Sequence, residues 1–272
     1  MEYDDVVEAV YELFLKAETD LGEDVVEVIR KAYEKETNET ARNNLSAILR
    51  NIDSARKLKV PMCQDTGIPI VFAEVGRELC IDFDLKQAII DGVKKATSEI
   101  PMRPNAVHPL SRENPGNNVG FHVPQINIDL VDGDTLKLAV MPKGAGSENV
   151  SALRMLLPSQ IKEIPKFIID VVKNAMGKPC PPVFLGVGIG STFDGCAKLA
   201  KKALLRDARK MTDVEQKITE MANRLGIGPM GLGGDTTVLG TFIEIGYCHT
   251  ASLPVAVNVQ CWANRRAVTY LR

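Results

Sequence analysis

Residues 60–67, Val60-Pro61-Met62-Cys63-Gln64-Asp65-Thr66-Gly67, set a metal-seeking thiol beside an amide, a carboxylate and a hydroxyl. A turn glycine ends the stretch, and an apolar run over residues 68–75 reads as a strand. Polar groups this dense at the mouth of a strand are costly if buried without partners. The plainer alternative is a polar turn with a packed cysteine. Of the six cysteines, Cys63, Cys180 and Cys261 stand at strand or helix ends beside Pro, Gln or Asp, in backbone that can present a thiolate. Cys80, Cys196 and Cys248 fall at ordinary packing positions. No C-x-x-C pair exists, so a metal site must draw its ligands from distant segments. Three thiolates without a fourth suit a cubane iron–sulfur cluster with one iron left open, or a Cys₃ zinc site with bound water. The residues alone leave both open. Either would offer the open coordination position that Lewis-acid catalysis requires.

Other segments carry weaker signals. Pro101-Met102-Arg103-Pro104-Asn105 is a stiff loop with one guanidinium, suited to forking onto a carboxylate or to simple surface exposure. Residues 142–149 (Pro-Lys-Gly-Ala-Gly-Ser-Glu-Asn) put small residues ahead of an expected helix over 150–155. That is a possible anion site, or only a Ser147 cap. It is not a Walker loop, since no G-K-[ST] follows the glycines. Residues 186–190 give G-x-G-x-G after a strand, and Ser191 stands where a dinucleotide fingerprint needs its last glycine. Residues 226–235, the most glycine-dense stretch, close around a ligand or let backbones meet.

These groups need elements to hold them. Helical periodicity covers most of residues 4–58, with a break and recap at 37–40, and returns at 83–97, 158–176, 191–205 and 213–225. Strands are expected at 121–130 and 136–141, forming a hairpin across Asp132-Gly133-Asp134, and at 183–190, 238–247 and 255–259. The reading is an α+β (mixed α/β) fold in which a helical N-terminal region, 1–58, packs on an irregular mixed sheet, all within one catalytic domain over 1–272. The N-terminal helices carry no chemistry on this reading, and His108, His122, Arg265 and Arg266 are structural, interface or surface groups. The chain has 272 residues, is 45% hydrophobic and carries a formal charge of -2. That balance gives no reason to expect nucleic acid or an anionic membrane as partner. No apolar run approaches the ~18 residues of a membrane span. The acidic N-terminus lacks the basic start of a signal peptide, so the expected location is cytoplasmic.

Five separated stretches together support a resemblance: Cys63-Gln64-Asp65-Thr66-Gly67, residues 143–149, Cys180-Pro181-Pro182, residues 186–190, and His249-Thr250-Ala251 through Gln260-Cys261. In this order they resemble the α subunit, or N-terminal catalytic domain, of the oxygen-sensitive class I fumarase and tartrate dehydratase family of iron–sulfur hydro-lyases. The resemblance implies that Cys63, Cys180 and Cys261 hold a [4Fe-4S] cluster with one iron lacking a protein ligand. It implies a pocket lined by Gln64, Asp65, Arg103, Gly144 and His249, with Gln64, Arg103 and Gly144 binding substrate and Asp65 and His249 acting in catalysis. It also implies a β subunit that completes the site, an assembly such as a dimer of αβ, and a C4 dicarboxylate substrate. Fumarate hydration to malate is the expected reaction, in the tricarboxylic acid cycle. Tartrate or mesaconate dehydration, or a non-catalytic metal-binding assembly subunit, is the alternative.

Overall fold

The computed structural model describes all 272 residues. In chain order the elements are α1 (Tyr3–Thr19), α2 (Glu23–Lys35), α3 (Glu39–Leu58), β1 (Ile68–Gly76), α4 (Leu85–Glu99), β2 (Gln125–Val131) and β3 (Leu136–Lys143). There follow α5 (Ala145–Glu148), β4 (Ala152–Leu156), α6 (Ile164–Ala175), β5 (Val183–Ile189), α7 (Phe193–Ala203), α8 (Asp213–Asn223), β6 (Val238–Ile245), β7 (Leu253–Gln260) and β8 (Ala267–Leu271). The fold is α+β. Its strands form two four-stranded mixed sheets, ordered β2-β1-β3-β8 and β4-β7-β5-β6. No helix is long and apolar enough to cross a membrane.

The chain divides into two compact units, the first made of Met1–Gly22, Asn51–Ala145 and Arg265–Arg272, the second of Glu23–Arg50 and Gly146–Asn264. In the first unit α1 and α4 lie on one face of the sheet. Val6, Val10, Leu13 and Phe14 of α1 recur at helical spacing and meet Ile89 and Val93 of α4 over Val71, Leu138 and Val140. β2 pairs parallel to β1 and β3 pairs antiparallel to it, so β1 separates the two strands that the sequence suggests as a hairpin. The strand expected from residue 121 begins only at Gln125, after the Val123-Pro124 bond.

In the second unit β5 is buried on both faces. Val183, Leu185 and Val187 face α6 and α8 through Phe167, Ile168, Ile218 and Ala222. The opposite face packs on α7. A Cβ on Gly186 would stand 2.0 Å from the Ala200 carbonyl oxygen, and one on Gly188 2.1 Å from that of Cys196. Gly186 and Gly188 therefore let a helix lie directly on a strand. The helix expected over 150–155 is instead β4, paired antiparallel with β7.

Candidate active site

The best-formed constellation lies within the first unit, at one end of its sheet. Ile68, which opens β1, pairs with Lys143, which ends β3. The segments before β1 and after β3 therefore meet. Asp65 pins them together, its carboxylate accepting the Gly67 N–H at 3.0 Å and the Ala145 N–H at 2.8 Å. Gly67 has φ +75°, and a Cβ there would stand 2.6 Å from the Lys143 backbone nitrogen, so no other residue fits.

Arg103 is brought to the same place by its backbone. Its N–H donates to the buried Thr66 hydroxyl at 2.9 Å, and its carbonyl accepts from Asn118 Nδ2 at 2.9 Å. Asn118, fully buried, also accepts from the N–H groups of Asn105 (2.6 Å) and Ala106 (3.2 Å). Asn105 Nδ2 in turn reaches the Gly67 carbonyl at 3.1 Å. The stiff loop is thus locked while the Arg103 side chain stays exposed. Gln64, Asp65, Arg103, Asn105 and Lys143 line one cleft of about 330 Å³. Lys143 is only 2% exposed. Two cations, one carboxylate and two amides around a small cleft suit a small polyanionic ligand.

Gly144 is buried beside Asp65: a Cβ on it would stand 3.0 Å from Asp65 Oδ2 and 3.7 Å from Arg265 Nη2. Arg265 is not a surface charge. It is 1% exposed, and its Nη1 lies 2.7 Å from Oε2 of Glu18, which is itself fully buried in the last turn of α1. Burial pushes the Glu18 carboxyl up to about 7. The Arg265 charge opposes that rise and the Asp65 charge adds to it.

The three candidate ligand cysteines lie in both units. Cys63 belongs to the first, half-buried, following a backbone fixed by the Met62 N–H on the Glu18 carbonyl (2.9 Å) and Asn51 Nδ2 on the Met62 carbonyl (2.8 Å). Cys180 and Cys261 belong to the second. Cys180 is exposed at φ +54°, and half-buried Cys261 directly follows β7. The buried Gln260 anchors that turn, its Nε2 donating to the Ala263 carbonyl at 3.0 Å. Cys196 contrasts with all three. It is buried, its Sγ–H points at the Gly188 carbonyl, and burial pushes its thiol up to about 11. Cys80 and Cys248 are exposed, so the packing role expected for them holds for Cys196 alone. Soft thiols on fixed loop backbone fit an iron–sulfur group by donor chemistry. No group of three or more His, Cys, Asp or Glu side chains is assembled closely enough to hold a metal ion.

His249 stands exposed on the loop between β6 and β7, its Nδ1 accepting the Ala251 N–H at 3.1 Å. The neutral ring then carries its proton on Nε2. His108 Nδ1 accepts the Ser111 N–H at 3.1 Å, a local loop bond. The glycine-dense loop is ordered by a buried carboxylate: Glu36 accepts from the N–H groups of Asp235 (2.9 Å) and Thr236 (3.2 Å). Gln64, Asp65 and Arg103, expected at the site from the sequence, line this cleft, whereas Gly144 is buried beside Asp65 and does not line it. Lys143 and Asn105 line it without a role expected from the sequence. The one signal for Lys143 was a cation at a strand end before a glycine.

The family model described as Fumarate hydratase (Fumerase) matches residues 7–269. The chain belongs to this fumarate hydratase family. A relative from Methanocaldococcus jannaschii, provisionally named L(+)-tartrate dehydratase subunit alpha, is 48% identical over 98% of both chains. The L(+)-tartrate dehydratase subunit alpha of Escherichia coli O157:H7 is 34% identical and that of strain K12 33%, each over 91% of this chain and 84% of the relative. Family membership spans both units and contains the cleft and all three candidate ligand cysteines.

Proposed function

We propose that this chain is the α subunit of an iron–sulfur hydro-lyase that adds water to, or removes it from, a C4 dicarboxylate. The observation that carries the reading is the cleft itself, which two cationic residues, Arg103 and Lys143, line together with the Asp65 carboxylate. Fumarate and malate are the pair proposed first. L(+)-tartrate is the second reading, favoured by the names of the relatives.

Hydration of fumarate places a hydroxyl on one alkene carbon and a proton on the next. Arg103 forks onto one carboxylate, and the Lys143 ammonium balances the other. The Gln64 amide and the backbone around Gly144 hydrogen-bond the carboxylate oxygens. Asp65, already accepting two N–H groups, orients the substrate hydroxyl, and His249 donates to substrate or passes a proton through Nε2. Cys63, Cys180 and Cys261 would hold a [4Fe-4S] cluster. When bound, such a cluster supplies a Lewis-acidic iron at the C–O bond being made or broken. The name "subunit alpha" in the relatives supports a β-type partner that completes the site, in an assembly such as a dimer of αβ. An oxygen-sensitive cluster suits the reducing cytoplasm.

The test is direct binding. Anaerobically reconstituted chain with its β-type partner should bind fumarate, malate or L(+)-tartrate by calorimetry. Arg103→Met should weaken that binding about 10- to 100-fold, the worth of a charged hydrogen-bond pair. Equal binding by Arg103→Met would remove the cleft from the account.

A further inference from the structure

The Glu18–Arg265 pair is used by nothing in the mechanism above, yet it is the most deeply buried charge pair of the first unit. Arg265 is among the largest fully buried side chains of the chain. Its two terminal nitrogens point to different groups. Nη1 is 2.7 Å from Glu18 Oε2, and Nη2 lies 3.7 Å from the point where a Cβ of Gly144 would stand. That same point is 3.0 Å from Asp65 Oδ2. Glu18 also feels the Asp65 charge. A row of carboxylate, guanidinium and carboxylate therefore runs from the end of α1 to the cleft wall.

Stability does not explain this row. Replacing a buried ion pair by apolar groups is often neutral or stabilising, so its place needs another reason. The Glu18 Oε1 atom has no hydrogen-bond partner in the fold, a further cost. The other end of the row is the one cleft carboxylate, whose two backbone donors join the segments on either side of the site.

We infer that Glu18 and Arg265 are positioning residues: Glu18 fixes the Arg265 guanidinium, and Arg265 holds the Asp65 carboxylate in place at the cleft wall. The catalytic consequence rests on the function proposed above, whereas the positioning itself does not.

The experiment measures amide exchange on the whole chain, comparing wild type with Glu18→Gln and Arg265→Met at about pH 8, where Glu18 is ionised. Loosening of Asp65 should speed exchange of the Gly67 and Ala145 N–H groups by about tenfold or more, while interior amides of β1 and β3 stay within about twofold. Unchanged exchange at these two amides, or an equal rise everywhere, would overturn the inference. Glu18→Gln keeps the shape and decides the matter should Arg265→Met fail to fold. In the two-subunit enzyme, Glu18→Gln should lower kcat about 10- to 100-fold with KM nearly unchanged. Added to Asp65→Asn it should cause no further loss, whereas a purely structural defect would multiply. A wild-type enzyme inactive on every C4 diacid would sink the proposed function, and the exchange result would still decide the positioning role.

Discussion

Asp65 carries more of the site than any other side chain, because it is both a wall of the cleft and the clamp between two segments. Asp65→Asn keeps the shape but turns one acceptor oxygen into a donor facing an N–H. Turnover should fall by roughly 100-fold or more, since the substrate then loses a fixed acceptor. Glu18 makes a sharper prediction. Its carboxyl is raised from 4.5 to about 7, so the folded chain binds the proton more tightly than the unfolded chain does. The stabilisation from that proton is complete below about pH 4.5 and is lost as pH rises through about 7. The loss is on the order of 3 kcal/mol. Glu18→Gln escapes it, so its stability relative to wild type should climb between about pH 5 and 7 and then level off. Urea unfolding at several pH values would show this, and parallel curves would refute it. The pH dependence separates the Glu18 ionisation from the constant cost of leaving the buried Arg265 without its counter-charge. Arg265→Met is the opposite case, leaving Glu18 buried without its counter-charge, and should be less stable by about 3 kcal/mol. Neither residue was legible in the sequence. An Arg-Arg pair near the end of the chain reads as surface charge, and a glutamate in the last turn of an amphipathic helix reads as its polar face. Burial of a charge arises from tertiary contacts that local pattern does not encode.

Among the elements, the loop that carries Arg103 depends on Asn118, which satisfies three backbone groups of residues 103–106. Asn118→Ala should cost about 2 kcal/mol or more of stability through these unmet groups, and should raise KM by letting Arg103 wander. An unchanged KM would mean that the loop is held by other means. What the sequence made visible at this scale is what depends on periodicity. The apolar stripes of α1 and α4 and the continuous apolar runs of β1 and β5 follow from burial on one or two faces. What stayed hidden depends on pairing partners. β2 and β3 alternate and flank a tight turn, which suggests a hairpin, yet β1 lies between them. Residues 150–156 hold good helix formers, but pairing of Ala152–Leu156 with β7 outweighs that preference. The short strand Ala267–Leu271 gave too little alternation to notice. The anchor stretch was legible for the opposite reason, since its reactive groups are adjacent in sequence.

At the scale of the whole molecule, the cleft lies in one unit and the three candidate ligand cysteines are distributed over both. Replacing Cys63, Cys180 or Cys261 by Ser should abolish the brown absorbance of an anaerobically reconstituted sample, while Cys80→Ser and Cys196→Ala should keep it. Colour lost equally in all five would point to non-specific iron binding by thiols. The most direct measurement is turnover. The chain would be co-produced without air with a companion β-type subunit, loaded with iron and sulfide, and assayed on fumarate, malate and L(+)-tartrate. Hydration or dehydration of at least one of these acids is expected, abolished by oxygen and by Cys261→Ser. A two-chain complex that carries its cluster, binds its partner and converts none of them would contradict the proposed function.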